Sequence, residues 1–449
     1  MKILVLNGSP KGKYSITLQT IKFLQLKNPD QEFEVLNVGQ QIKKFEKDFS
    51  SAKDKLENAD LLIFSYPVYT FIAPCQLHRF IELMKEHNVN VKGKFATQLS
   101  TSKHFYDVTA HRYIEDNCYD LGLKFIRGLS ADMDDLLTDK GQKEALDFFN
   151  YTLWSVENDY YEAFPEKMPN TNNIPATVPD CTQEKTGDVV IVTDCEEDNT
   201  QLQGMIERFR AVLPFKTRIV NIREYAFSGG CLGCFNCAVS GKCIYKDGFD
   251  EYLRSNIQTA EAIVYAFTIK DHSMGARFKM YDDRQFCNGH RTVTMGMPFG
   301  YLVSGNYSKE MNLQTIVEGR AQVGGNFLAG VATDETDTNA EIDKMAQKLT
   351  YALQNKYAPP QNFLGIGGMK IFRDLIWQMQ GMMRADHKFY KAHNQYDFPQ
   401  KKKGRMLAMY LVGAMLANDK IKSKMGNKMN EGMLMPYTKL FEKLEKENK

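Results

Sequence analysis

Four of the nine cysteines in this 449-residue chain fall within thirteen residues, in the stretch CLGCFNCAVSGKCIYKD that begins at Cys231. Cys231, Cys234, Cys237 and Cys243 stand in the spacing C-x2-C-x2-C-x5-C. Three thiolates at that rhythm, with a fourth close behind, suit the loop that wraps a cubane 4Fe-4S cluster. A two-residue spacing also suits zinc, and a loop that only packs is the third reading. Gly229, Gly230, Gly233 and Gly241 let the backbone turn tightly enough for several thiols to point inward. Metal chemistry is the expectation, and an iron–sulfur cluster is the preferred form.

A second set of chemical residues lies near the start. The buried-strand pattern KILVL, residues 2–6, runs into Asn7-Gly8-Ser9-Pro10-Lys11-Gly12-Lys13-Tyr14-Ser15-Ile16-Thr17, and a helical apolar period follows through Leu18, Ile21 and Leu24. Ser9, Ser15 and Thr17 supply hydroxyls, and the helix start supplies free N–H groups with partial positive charge, so the loop can hold a phosphate. It is neither a Walker loop nor a G-x-G-x-x-G turn. A strand at 61–64 then ends in Ser65-Tyr66-Pro67-Val68-Tyr69, where Pro67, Val68 and Tyr69 offer a rigid wall for a flat ring. A further strand at 94–99 ends in Ser100-Thr101-Ser102, expected as a third polar loop, with His104 just beyond.

The elements that must position these loops alternate between strand and helix. A second strand is expected at 34–38, a charged helix at 42–56 and another at 76–84, which defines a parallel, doubly wound α/β sheet. In such sheets ligands bind outside the carboxyl ends of the strands. Residues 165–187, rich in Pro, Asn and Thr, read as a linker. The pattern then restarts, with a strand at 188–193, a helix at 201–213, a strand at 218–222 and a helix from Phe249. Residues 260–283 align with 59–82 at a constant shift of 201, pairing Leu61-Leu62-Ile63-Phe64 with Ala262-Ile263-Val264-Tyr265. The expectation is two copies of one fold in tandem. Ligand-facing positions have diverged: Thr268, Ile269 and Lys270 replace Pro67, Val68 and Tyr69. Asp194, Glu196, Glu197 and Asp198 crowd four carboxylates where a phosphate would sit, and like charges about 4 Å apart repel by roughly 4 kcal/mol at an effective dielectric near 20.

The loop GSPKGKYSIT and the Pro-Val-Tyr turn resemble those of the flavodoxin-like NAD(P)H-dependent FMN reductases. The cysteine loop resembles that of the iron–sulfur flavoproteins. The resemblance spans about residues 1–355 and implies a tandem of two flavodoxin-like domains, 1–164 and 188–357; the basic, Met-rich helical extension expected over 358–449 falls outside it. It further implies FMN, with Ser9, Lys11, Ser15 and Thr17 at its phosphate. Pro67, Val68 and Tyr69 would line its ring, joined by Ser100, Thr101 and Ser102. NAD(P)H is the implied donor. One chain would form its own pseudo-dimer, alone or within a larger homo-oligomer, bringing the second half's cluster near the first half's flavin. The degenerate second set of loops implies one FMN per chain. An NAD(P)H:quinone or flavin reductase with a vestigial cysteine loop, and a non-catalytic iron–sulfur redox sensor, stand as alternatives.

Composition bounds the partners. Net charge is +2, yet from Pro359 onward 17 Lys+Arg face 8 Asp+Glu, and eleven of the 22 methionines lie there. Such a segment suits a helical appendage, or weak docking on a protein or an anionic membrane surface. No stacking platform accompanies the basic residues, so nucleic acid is not an expected partner. The small-molecule or protein electron donor and acceptor are the expected ones. No signal peptide is recognisable at the N-terminus, and clustered cysteines then read as metal ligands in a cytoplasmic protein.

Overall fold

Short apolar runs bounded by turn residues become the strands of two parallel sheets in the computed structural model, which describes residues 1–165, 173–180, 184–418, 441, 442, 444, 446 and 447. The first half runs β1 (Lys2–Asn7), α1 (Ile16–Lys27), β2 (Glu32–Leu36), α2 (Val38–Phe45), α3 (Ser50–Asn58), β3 (Leu61–Pro67), α4 (Cys75–Glu86) and β4 (Phe95–Ser102). It continues through α5 (Asp107–Asp120), β5 (Lys124–Phe125), β6 (Leu129–Asp132) and α6 (Asp139–Glu157). Strand order is β2-β1-β3-β4-β5, with β6 pairing β4.

The second half runs β7 (Thr186–Thr193), α7 (Thr200–Val212), β8 (Phe215–Asn221), α8 (Asn236–Ser240), α9 (Phe249–Tyr252), β9 (Ala262–Thr268), α10 (Gly275–Arg284) and β10 (Phe299–Ser304). Next come α11 (Met311–Gly324), β11 (Leu328–Thr333), α12 (Thr338–Asn355), α13 (Phe363–Gln378), α14 (Arg384–Ala392) and α15 (Lys403–Leu416). Strand order is β11-β10-β9-β7-β8, the same 2-1-3-4-5 arrangement read from the other edge. Each sheet is covered by helices on both faces, which is why β1, β3, β9 and β10 are almost uniformly apolar and buried. Both halves are flavodoxin-like in architecture.

Several boundaries differ from the sequence reading. The expected helix at 42–56 is two helices, α2 and α3, broken at Lys47 and Asp48. The expected loop Ser100-Thr101-Ser102 lies within β4, because its residues pair with Pro67 of β3 and with Leu129–Asp132. The helix from Phe249 is one short α-helical turn followed by a π-helical turn over 253–257. In the linker, Ile174 donates its N–H to Asp334 O, so 173–180 lies along the second half. The linker's last two residues, Thr186 and Gly187, already belong to β7. Its residues 166–172 and 181–183, and 419–440, 443, 445, 448 and 449 of the extension, lie outside the described residues.

Residues 1–389 form one compact unit and 390–449 another. In the second, Met406, Leu407, Tyr410 and Leu411 of α15 are exposed. Among the described residues no helix is long and apolar enough to cross a membrane.

Within the first unit the halves meet along α4 and α10 by a reciprocal contact. Cys75 N–H, at the start of α4, donates to Asp283 Oδ2 of α10 at 2.8 Å; Ala276 N–H, at the start of α10, donates to Glu82 Oε1 of α4 at 2.7 Å. Cys75 and Ala276 are 201 positions apart, as are Glu82 and Asp283. Each helix therefore neutralises the unpaired donors at the other's N-terminus, in the pattern of a two-fold interface.

His272 reinforces the seam, its ring nitrogens 3.1 Å from Asp120 of α5 and from Glu310. Burial lowers its pKa, but the hydrogen bonds to Asp120 and Glu310 outweigh that and push it up to about 10. A raised folded-state pKa gives stability that is complete below the ordinary histidine pKa near 6.5 and is lost as pH climbs through about 10. Unfolding midpoints of the wild type should decline over that window, and His272→Gln should flatten the decline; parallel curves would refute the assignment.

Candidate functional site

The first loop is shaped by its own backbone. Asn7 Nδ2 donates to Gly12 O (3.0 Å) and to Asn37 Oδ1 (2.9 Å), and Gly12 takes a left-handed φ of 53°. Ser15 caps α1, its Oγ accepting the Leu18 N–H at 3.4 Å. Thr17 and Thr101 hydroxyls meet at 2.5 Å, tying the start of α1 to the end of β4. Lys11 lies with its ammonium 5.6 Å from the Phe235 ring centroid and has no carboxylate partner among the described residues. Hydroxyls, a helix start and an unpaired cation form a cradle suited to a phosphate group.

The second loop is more strained. Tyr69 and Ile72 exchange backbone hydrogen bonds (2.7 and 3.1 Å) around Thr70 (φ 44°) and Phe71 (φ 76°). Left-handed non-glycine residues cost of order 1–3 kcal/mol each and persist only when their surroundings over-determine them. Those surroundings come from the second half. Lys279 Nζ donates to Thr70 Oγ1 (2.6 Å) and Tyr69 O (3.2 Å), and Arg320 Nη2 donates to Thr70 O (2.9 Å) and Asp282 Oδ2 (2.8 Å). Thr70 Oγ1 also stands 2.7 Å from Asp282 Oδ2. Lys279 additionally pairs with Asp283, and Lys279, Asp282 and Asp283 are all buried. Burial pushes the Asp283 carboxyl up, whereas at Asp282 Arg320 and Lys279 overcome burial and hold it down.

The cysteine loop closes over this wall. A Cβ on Gly233 would lie 1.9 Å from Tyr69 Oη, and one on Gly230 would lie 2.2 Å from Cys75 Sγ. Gln76 Nε2 reaches Cys231 O at 3.3 Å. Arg284, buried and bidentate to Asp247 at 2.8 Å, ends 3.9 Å from Cys243 Sγ. Burial pushes the Cys237 thiol up to about 11 and Cys231 further still.

One cavity of about 460 Å³ unites these parts, within the usual range for small-molecule sites. Of the residues singled out in the sequence, Ser9, Lys11, Ser15, Thr17, Pro67, Val68, Tyr69, Thr101 and Ser102 line it together with Cys231, Cys234, Cys237 and Cys243. Ser100 does not: it is buried inside β4, with Oγ 2.7 Å from His111 Nε2. His104 is also elsewhere, half-exposed and 2.8 Å from Asp107. The sequence reading missed Phe235, Arg284, Cys287 and Phe372, which line the cavity from the second half and from α13. For Lys279 a signal existed, since it falls 201 positions after buried His78.

The cradle and the aromatic wall fit FMN in chemistry. The thiols match an iron–sulfur cluster in type and number. Even so, among the described residues no three His, Cys, Asp or Glu side chains are gathered closely enough to hold a metal ion. In the second half, Lys270 pairs with Glu196 at 3.1 Å and Arg223 pairs with it too, so salt bridges partly neutralise the acidic loop.

Residues 1–111 match the family model Flavodoxin_2, described as a flavodoxin-like fold. With the second sheet, the chain is a flavodoxin-like α/β protein with two parallel-sheet domains. An iron–sulfur flavoprotein of Clostridioides difficile is 21% identical over 178 residues, covering 34% of this chain and 79% of that protein. Among solved structures, a putative quinone reductase from Klebsiella pneumoniae is 14% identical, with a TM-score of 0.29, covering 39% of this chain and 91% of that one. An FMN-dependent NADH-azoreductase from Bacillus anthracis, in complex with FMN, is 12% identical, with a TM-score of 0.28, covering 34% and 98%.

Proposed function

We propose that this chain is an FMN-dependent oxidoreductase that takes electrons from NAD(P)H and delivers them to a small-molecule or protein acceptor. The carrying observation is that a hydroxyl-and-lysine cradle, an apolar aromatic wall and four thiols from the opposite half border one cavity. FMN, when bound, supplies the ability to accept a hydride and release single electrons. The chain's own residues bind, orient and exclude water. Ser9, Lys11, Ser15 and Thr17 would hold the phosphate. Pro67, Val68 and Tyr69 would flank the ring. Burial pushes the Tyr69 phenol up, which keeps it a neutral hydrogen-bond donor. The name of the Clostridioides relative, an iron–sulfur flavoprotein, agrees with this reading.

The finer part of the proposal is that Cys231, Cys234, Cys237 and Cys243 carry a 4Fe-4S cluster. The open arrangement of the thiols favours a second reading, a reductase whose cysteine loop only packs. Anaerobic purification with flavin, iron and sulfide content per chain separates them. The proposal expects about one FMN, with iron lost in Cys234→Ser; flavin without iron selects the second reading, and absence of flavin overturns both. Lys11→Ala should weaken FMN binding about tenfold to a hundredfold through loss of a charged hydrogen bond, read by flavin fluorescence on titration.

A further inference from the structure

We propose that α13 is the size-selecting wall of the cavity, and that Phe372 sets the largest planar reactant admitted. This rests on the oxidoreductase reading above. The segment lies beyond the two flavodoxin-like halves, and its composition marks it as an appendage, yet Ile371, Phe372 and Leu375 line the cavity. Two glycines one turn apart bring the helix in. A Cβ on Gly365 would stand 2.3 Å from Gln322 O of α11, and one on Gly368 would stand 2.7 Å from the Phe105 ring and 2.9 Å from Val323. Gln361 Nε2 fixes the approach by donating to Gln322 O and Val323 O at 3.2 and 3.3 Å.

The close approach places Phe372 between the halves. Its ring centroid lies 4.4 Å from Phe105 of the first half and 5.2 Å from His290 of the second. Downstream, the buried Asp386 carboxylate accepts from His290 N and Nδ1, both at 3.1 Å, and stands 3.7 Å from Arg291. Both ends of the segment are therefore anchored to the structures that frame the cavity. A side chain held by aromatic neighbours on two sides is a fixed boundary, and in an apolar pocket such boundaries discriminate by volume.

The experiment compares a three-ring acceptor, anthraquinone sulfonate, with a one-ring acceptor, duroquinone. Phe372→Ala should raise the kcat/KM ratio of the large over the small acceptor about tenfold, and Phe372→Trp should lower it about tenfold. A structural role alone would shift both acceptors by one factor in each variant, and that result, or no shift, overturns the proposal. Flavin content is measured on the same preparations. If the wild type carries no flavin, the oxidoreductase reading fails. The wall is then tested by calorimetric binding of anthraquinone sulfonate, expected tighter in Phe372→Ala and weaker in Phe372→Trp. Equal affinities overturn it.

Discussion

Lys279→Met should destabilise the protein by roughly 3–5 kcal/mol, the cost of leaving a buried charge without its partner. Lys279 is fully buried, and its ammonium touches Asp283, Asp282 (3.2 Å), Thr70 Oγ1 and Tyr69 O. Methionine keeps most of the stem's packing but strands two carboxylates with Arg320 as their remaining cation nearby. The effect also reaches the cavity. Without Lys279 the left-handed Thr70–Phe71 turn loses two of the hydrogen bonds that enforce it, so Tyr69 should become more mobile. Denaturant titration gives the stability loss. Adding Asp283→Asn should return part of it, because the two sites share one network. A loss under about 1 kcal/mol, the size of a solvated pair, would show that the cluster is not closed to water.

Gly233→Ala should detach the cysteine loop from the wall that Tyr69 forms. Its φ of 60° already disfavours any side chain, at about 1–2 kcal/mol. The new methyl would also overlap Tyr69 Oη, 1.9 Å from the Cβ position. Either the loop lifts or Tyr69 turns away, and both outcomes open the cavity. The Cys231 thiol, whose pKa burial pushes up, should then react with a disulfide reagent at least about tenfold faster, since its reactivity follows access and thiolate fraction. Flavin affinity should fall in the same variant. Unchanged labelling and unchanged affinity would mean that the loop does not seat on Tyr69.

The strands and the cavity-lining loops were legible in the sequence because they rest on local signals: short apolar runs, glycine-containing turns and a helix start after Ser15. The 201-residue offset holds at β3 and β9, Leu61–Pro67 and Ala262–Thr268. What escaped was set by distant contacts. Ser100 looks like a loop residue until β6 pairs with β4 and encloses it. The charged run Lys279 to Arg284 is buried because Lys279 and Asp283 find partners at Thr70 and Cys75 of the first half, while Arg284 pairs with Asp247 far along its own half. Likewise nothing local in Phe363–Gln378 says that its glycines meet α11 and Phe105.

The exchanged caps of α4 and α10 also bear on how the chain is made. Cys75 donates to a carboxylate 208 residues later in the sequence. At a synthesis rate of about 5–20 residues per second, the first half waits on the ribosome for roughly 10–40 s before its complement arrives. During that interval the start of α4, the Thr70–Phe71 turn and the apolar cavity wall face water or a chaperone. The nascent first half is thus an unfinished interface, and its safe passage depends on the second half following on the same chain.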